Sequence, residues 1–136
     1  MRAWLNESWL NLKHYIGGGT AAATYRNNQA NYWNLLYTGS IFIGTPLQEF
    51  TGVIWDTGSG EFLIESSECS NCDTENPVFQ MDSSSSFSYT TSPATAGGVS
   101  YLDGTSLLGD YVQDRVCPTS DEASCADDFQ FIAITS

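Results

Sequence analysis

Val53-Ile54-Trp55-Asp56-Thr57-Gly58-Ser59 joins an apolar run to a turn through a single carboxylate. Glycine at position 58 lets backbone N–H groups approach that carboxylate, and the hydroxyls of Thr57 and Ser59 are placed to fix its orientation. The expected product is a buried, hydrogen-bonded Asp56. The plainer alternative is a turn that closes a strand, because Thr, Gly and Ser are ordinary turn residues.

On the N-terminal side, Tyr37-Thr38-Gly39-Ser40-Ile41-Phe42-Ile43 is rich in β-formers and Gly44-Thr45-Pro46 reads as a turn. Leu47 to Asp56 then returns as a second strand, whose apolar end at Val53-Ile54-Trp55 calls for burial. On the C-terminal side Thr57-Gly58-Ser59-Gly60 breaks the chain, and a short strand resumes from Glu61 to Glu65 through Phe62, Leu63 and Ile64. Residues 66–86 read as an acidic, Ser-rich loop ending in Ser83-Ser84-Ser85-Ser86. Beyond Phe87-Ser88-Tyr89-Thr90-Thr91, a Pro/Ala/Gly connection leads to Val99-Ser100-Tyr101-Leu102, then Asp103-Gly104, then a long strand from Thr105 to Cys117. Asp-Gly between two β-like runs predicts a projecting hairpin, with both residues central in a type I′ turn. A last strand is expected from Phe129 to Thr135. With no long helical pattern after residue 34 and no internal repeat, the fold class is all-β.

The front of the chain has a different character. Leu5, Trp9 and Leu12 stand at i, i+4 and i+7, a short amphipathic helical pattern ended by Gly17-Gly18-Gly19, and residues 21–34 read as an extended arm. Residues 1–48 carry Arg2, Lys13 and Arg26 against one acid, Glu7, whereas residues 49–136 carry fifteen acids and only Arg115. The expected division is therefore an N-terminal arm or leader over residues 1–34, docked or displaced and apart from the main sheet, followed by one domain over 35–136.

The 136 residues are 41% hydrophobic, enough for one core, and carry a net charge of −12. Phosphate backbones and anionic bilayers repel such a chain, which argues against nucleic acid and membrane-surface partners. No run of roughly 18 uncharged apolar residues marks a membrane span, and the start lacks an apolar run of signal-peptide length. His14 is the only histidine, so a His-rich metal site is excluded, as is a Ser/His/Asp triad unless His14 serves as its base. No metal and no cofactor are expected.

Cys69, Cys72, Cys117 and Cys125 permit three disulfide pairings. Zinc competes, since Cys69-x-x-Cys72 has knuckle spacing, but seven residues between Cys117 and Cys125 are too many for an ordinary second knuckle. Local disulfides, Cys69 with Cys72 and Cys117 with Cys125, are the expectation, and they imply an oxidising compartment. Asn6-Glu7-Ser8 fits an N-glycosylation acceptor at Asn6, a pattern common by chance.

Three blocks, in order and at fitting separations, carry a family likeness: Tyr37 to Phe50, Ile54 to Ser59, and Tyr101-Leu102-Asp103-Gly104-Thr105-Ser106. Together they resemble the pepsin-like aspartic peptidases over about residues 36–136. The resemblance implies part of an N-terminal lobe, an acid-protease double-psi β-barrel with a flap hairpin. It implies Asp56 as a catalytic residue, supported by Thr57, Gly58 and Ser59. Tyr101, Leu102, Asp103, Gly104 and Thr105 would form the flap over a peptide or protein substrate. It also implies a secreted protein or one of an acidic vacuolar or lysosomal lumen, with no cofactor.

Departures stand beside the likeness. Leu102 occupies a flap position that is usually small, Leu63 stands where many relatives carry a Trp that can bond the flap Tyr, and Gly60 replaces the commoner Ser. A lone aromatic residue in a strand, such as Tyr101, is otherwise a packing residue. A second Asp-Thr/Ser-Gly motif is absent, so one chain offers one carboxylate. The second would come from another chain or a C-terminal lobe, or from a second copy threading Leu107-Leu108-Gly109. A third alternative is a catalytically inactive module for binding or assembly, using exposed strand edges.

Overall fold

The computed structural model describes residues 2–4, 25–58, 60–72, 75–102 and 104–136. The helical pattern at Leu5, Trp9 and Leu12, the candidate acceptor Asn6, and Lys13 and His14 lie outside the described residues.

Among the described residues nine strands form one sheet: β1 (Arg2–Trp4), β2 (Ala30–Tyr32), β3 (Leu36–Ile43), β4 (Gln48–Asp56), β5 (Leu63–Glu65), β6 (Ser88–Tyr89), β7 (Ala96–Ser100), β8 (Ser106–Cys117) and β9 (Ala126–Ile134). The main path runs β1-β4-β3-β8-β9-β5, with β2 on β3 and both β6 and β7 on β8. The pairs β1/β4 and β5/β9 are parallel and the rest antiparallel. The end strands β1 and β5 approach each other, yet the hydrogen-bonded path does not close. Two single 3₁₀ turns, Met81–Ser83 and Glu122–Ser124, are the helical elements among the described residues.

The arm is not wholly apart from the sheet. β1 lies beside β4 with Trp4 opposite Asp56, and β2 pairs with β3 in a hairpin whose turn residues Trp33 and Asn34 take φ of 57° and 56°. The expectation of a segment off the sheet is amended for residues 2–4 and 30–32. Their backbone groups complete ladders that β3 and β4 would otherwise leave open.

Packing follows the strand period except where a bulge resets it. Phe50 and Val53 are both buried although three positions apart. The register steps from Gly39 opposite Val53 to Ile41 opposite Phe50, so two residues of β4 oppose one of β3. Gly52, at φ +70°, supplies the left-handed conformation that this bulge requires. With Ile41, Ile43, Phe62, Ile64, Phe79, Met81, Val112, Val116, Phe131 and Ala133, these two residues build the main core. β9 is covered on both sides. Phe131 and Ala133 face that core, whereas Ile132 and Ile134 join Leu63 in a second cluster, which explains the unbroken apolar run.

Asp114 sits in the buried row of Val112 and Val116 with no exposed surface. Its Oδ1 accepts from the Arg115 N–H at 2.7 Å and lies 2.5 Å from Ser86 Oγ, which is 2.7 Å from Thr45 Oγ1. A polar strut thereby ties β8 to the Ser-rich loop and to the β3–β4 turn. Both disulfides form as expected, Cys69–Cys72 and Cys117–Cys125, so the four cysteines are consumed without zinc.

The β7–β8 hairpin is present, but its turn differs from the predicted one. Gly104 N–H donates to the Tyr101 carbonyl at 3.0 Å, and Tyr101 N–H donates to the Thr105 carbonyl at 2.8 Å. The loop therefore has three residues, with Gly104 at φ +87° as its closing left-handed residue and not in the centre of a type I′ turn. Pairing of Ser100 with Ser106 leaves one residue too many for the two-residue loop.

Candidate active site

Asp56 is the last residue of β4. Upstream, Val53 is fully buried and anchors the strand, while Ile54, Trp55 and Asp56 are half-buried. The expected buried carboxylate is thus corrected to a half-buried one. Of the groups expected to hold it, the Gly58 N–H donates to Asp56 Oδ1 at 2.6 Å. A Cβ at position 58 would stand 3.1 Å from that same oxygen, a tight contact that the carboxylate would have to relieve by a few tenths of an ångström. Thr57 and Gly58 are exposed, and Ser59 lies outside the described residues.

Asp56 opens onto a hollow of about 760 Å³. Trp55, Thr57, Tyr37 and Pro118 line it together with Tyr25–Gln29 of the arm. Arg26, one of the basic residues of the arm, is exposed and is among the residues that line this hollow. Arg26, Asn28 and Gln29 are exposed, as an extended arm over 21–34 implies, whereas Tyr25 and Asn27 are half-buried. Their anchoring partners lie too far along the chain to leave a local signal: Asn27 Nδ2 donates to the carbonyls of Ser40 at 2.7 Å and Pro118 at 2.6 Å.

The hairpin residues are placed elsewhere. Tyr101 packs on the cluster of Leu63, Ile132 and Ile134, and the described residues of the 101–105 loop do not line the hollow. Leu63, where a Trp would offer an N–H, is a member of that apolar cluster. Leu102 is fully exposed at the tip. Asp103 lies outside the described residues, while Gly104 and Thr105 are exposed turn residues. Leu107-Leu108-Gly109 forms part of the hairpin's returning strand in this chain, paired with Val99, Gly98 and Gly97. Among the described residues, no group of three or more His, Cys, Asp or Glu side chains is placed to hold a metal, and no helix is long and apolar enough to cross a membrane.

Comparison with known proteins adds an independent finding. The family model described as "Eukaryotic aspartyl protease" matches residues 36–120. Pepsin A of Callithrix jacchus is 42% identical over 73 residues, covering 52% of this chain and 19% of the relative. Rhizopuspepsin of Rhizopus chinensis is 31% identical over 100 residues, covering 74% of this chain and 23% of the relative. Chymosin of Bos taurus is 42% identical over 74 residues, covering 54% and 18%. The chain thus spans about a fifth of the length of these curated relatives.

Proposed function

The chain belongs to the eukaryotic aspartyl protease family, and we propose that it supplies one of the two catalytic carboxylates of an aspartic-type endopeptidase. The observation that carries this reading is Asp56 itself, set at the end of β4, held by the Gly58 N–H at 2.6 Å and open to a hollow of about 760 Å³. Two facing carboxyls share one proton, because two negative charges at that range repel strongly. The ionised member takes a proton from a water whose oxygen bonds to the peptide carbonyl carbon, while the neutral member protonates the carbonyl oxygen. Collapse breaks the C–N bond, and a proton passes to the departing amine.

In this reading Thr57, Gly58 and Ser59 support Asp56, and the Tyr101–Thr105 hairpin closes over a bound peptide. A second chain or a C-terminal lobe provides the other Asp, in keeping with the small share of each relative that is covered. Residues 1–34 act as a leader, with Arg26 lining the same hollow as Asp56. The two disulfides and the acidic composition suit secretion or an acidic vacuolar or lysosomal lumen. One observation favours a second reading, an inactive binding module: Tyr101 packs inward on Leu63, Ile132 and Ile134.

Asp56→Asn in the complete two-carboxylate enzyme tests the first reading. Peptide cleavage should fall by several orders of magnitude while peptide binding persists. Undiminished cleavage by the variant removes Asp56 from the mechanism.

A further inference from the structure

Among the described residues, five of the ten that line the hollow belong to 25–29, a segment without regular secondary structure whose position must be set by something other than a strand ladder. Its side-chain anchors converge on one place. The Tyr25 hydroxyl donates to the Ala123 carbonyl at 2.7 Å, and Asn27 Nδ2 reaches the Pro118 carbonyl at 2.6 Å as well as Ser40. Ala123 and Pro118 both belong to the loop closed by Cys117–Cys125. That loop is braced internally by Ser124 Oγ donating to the Asp121 carbonyl at 2.6 Å and by Ala123 N–H donating to Asp121 Oδ1 at 3.0 Å. From outside, Arg115 pairs with Glu122 at 3.1 Å and with Asp127 at 3.4 Å.

We infer that the Cys117–Cys125 loop is a positioning device, a rigid seat that holds residues 25–29 as one wall of the Asp56 hollow. Asn27 is half-buried and its Nδ2 bonds two carbonyls at once, so these partners fix the wall along β3 and across to the loop. Tyr25 fixes the wall's leading end. The disulfide keeps the Pro118 and Ala123 carbonyls at a set spacing by joining the two ends of the loop. Tyr25 and Asn27 are positioning residues that shape access to Asp56. Their importance for catalysis rests on the reading of Asp56 given above, whereas the seat itself does not depend on it.

The test uses the full chain and no peptidase assay. Trypsin cuts after Arg26 only when the surrounding segment leaves its seat, so the rate of appearance of fragment 27–136 reports detachment. Each rate is normalised to a synthetic peptide of the same local sequence. Tyr25→Phe should raise the normalised rate about 2- to 10-fold, the equivalent of one net hydrogen bond, and Asn27→Ala about 10-fold or more. Joint replacement Cys117→Ser/Cys125→Ser should raise it by a similar factor, whereas Cys69→Ser/Cys72→Ser should not. Labelling of Asp56 by a water-soluble carbodiimide, relative to exposed Asp82, should rise in the same variants, which a purely structural defect elsewhere would not produce. Wild-type cutting rates in Tyr25→Phe and Asn27→Ala, or in the loop-opened variant with its β-sheet circular dichroism intact, would overturn the inference. If the loop-opened variant fails to fold, the Tyr25 and Asn27 variants decide alone.

Discussion

A methyl group on Gly39 would stand 2.8 Å from Trp55 Nε1 and closer still to Asn27 Oδ1, so the absence of a side chain on β3 is what lets both residues flank the hollow. Gly39→Ala is expected to lower stability by about 1–3 kcal/mol through overpacking, read as an earlier urea midpoint. An unchanged midpoint would mean that Asn27 and Trp55 are not tightly seated. Asp114 is the other residue on which much depends. Asp114→Ala strips the acceptor from the Arg115 N–H and Ser86 and opens a void in the Val112/Val116 row, at a cost of about 2–4 kcal/mol. A loss under 0.5 kcal/mol, within the ordinary range of about ±0.5 kcal/mol for surface substitutions, would show that the strut is slack. Asp56 was legible in the sequence because an apolar run, a carboxylate and a Gly-containing turn are contiguous. Asn27 was not, because its acceptors at Ser40 and Pro118 are 13 and 91 positions away.

At the scale of elements, the strands of the core were legible from alternation and β-rich runs, and β3, β4, β5, β8 and β9 lie where those runs fall. What stayed hidden is register. The bulge at Gly52 depends on how β3 meets β4, and the turn at Gly104 depends on how β7 meets β8. Neither is a property of one segment alone. The short β6 strand brings one electrostatic consequence. Tyr89 lies opposite Val112, and burial, followed by the negative charges of Glu68, Asp110 and Asp82, raises its phenol above the ordinary tyrosine value of 10.0. The fold therefore favours the neutral phenol. The stability this supplies is complete below about pH 10 and is lost as pH rises through the raised value. Thermal melts of wild type and Tyr89→Phe should coincide at neutral pH and diverge in alkali, with wild type the less stable. Parallel alkaline curves would show that folding leaves Tyr89 unperturbed.

For the molecule as a whole, the sheet path ends at β1 and β5 without closing, and the sequence contains one Asp-Thr-Gly motif. The carboxylate, the wall at Tyr25–Gln29 and Pro118 of the disulfide loop line one hollow, and among the described residues no second carboxylate lines it. A lone carboxylate cannot act as base toward water and as acid toward the carbonyl in the same step. The most direct measurement is therefore hydrolysis of a mixed peptide library at about pH 4, an acidity at which a shared-proton pair is half ionised, by the purified chain alone and after titration with a second lobe carrying its own Asp-Thr/Ser-Gly motif. The expected result is no cleavage by the chain alone and saturable cleavage on adding the lobe, abolished by Asp56→Asn. Robust cleavage by the isolated monomer, or cleavage by the assembled pair that survives Asp56→Asn, would contradict the half-site.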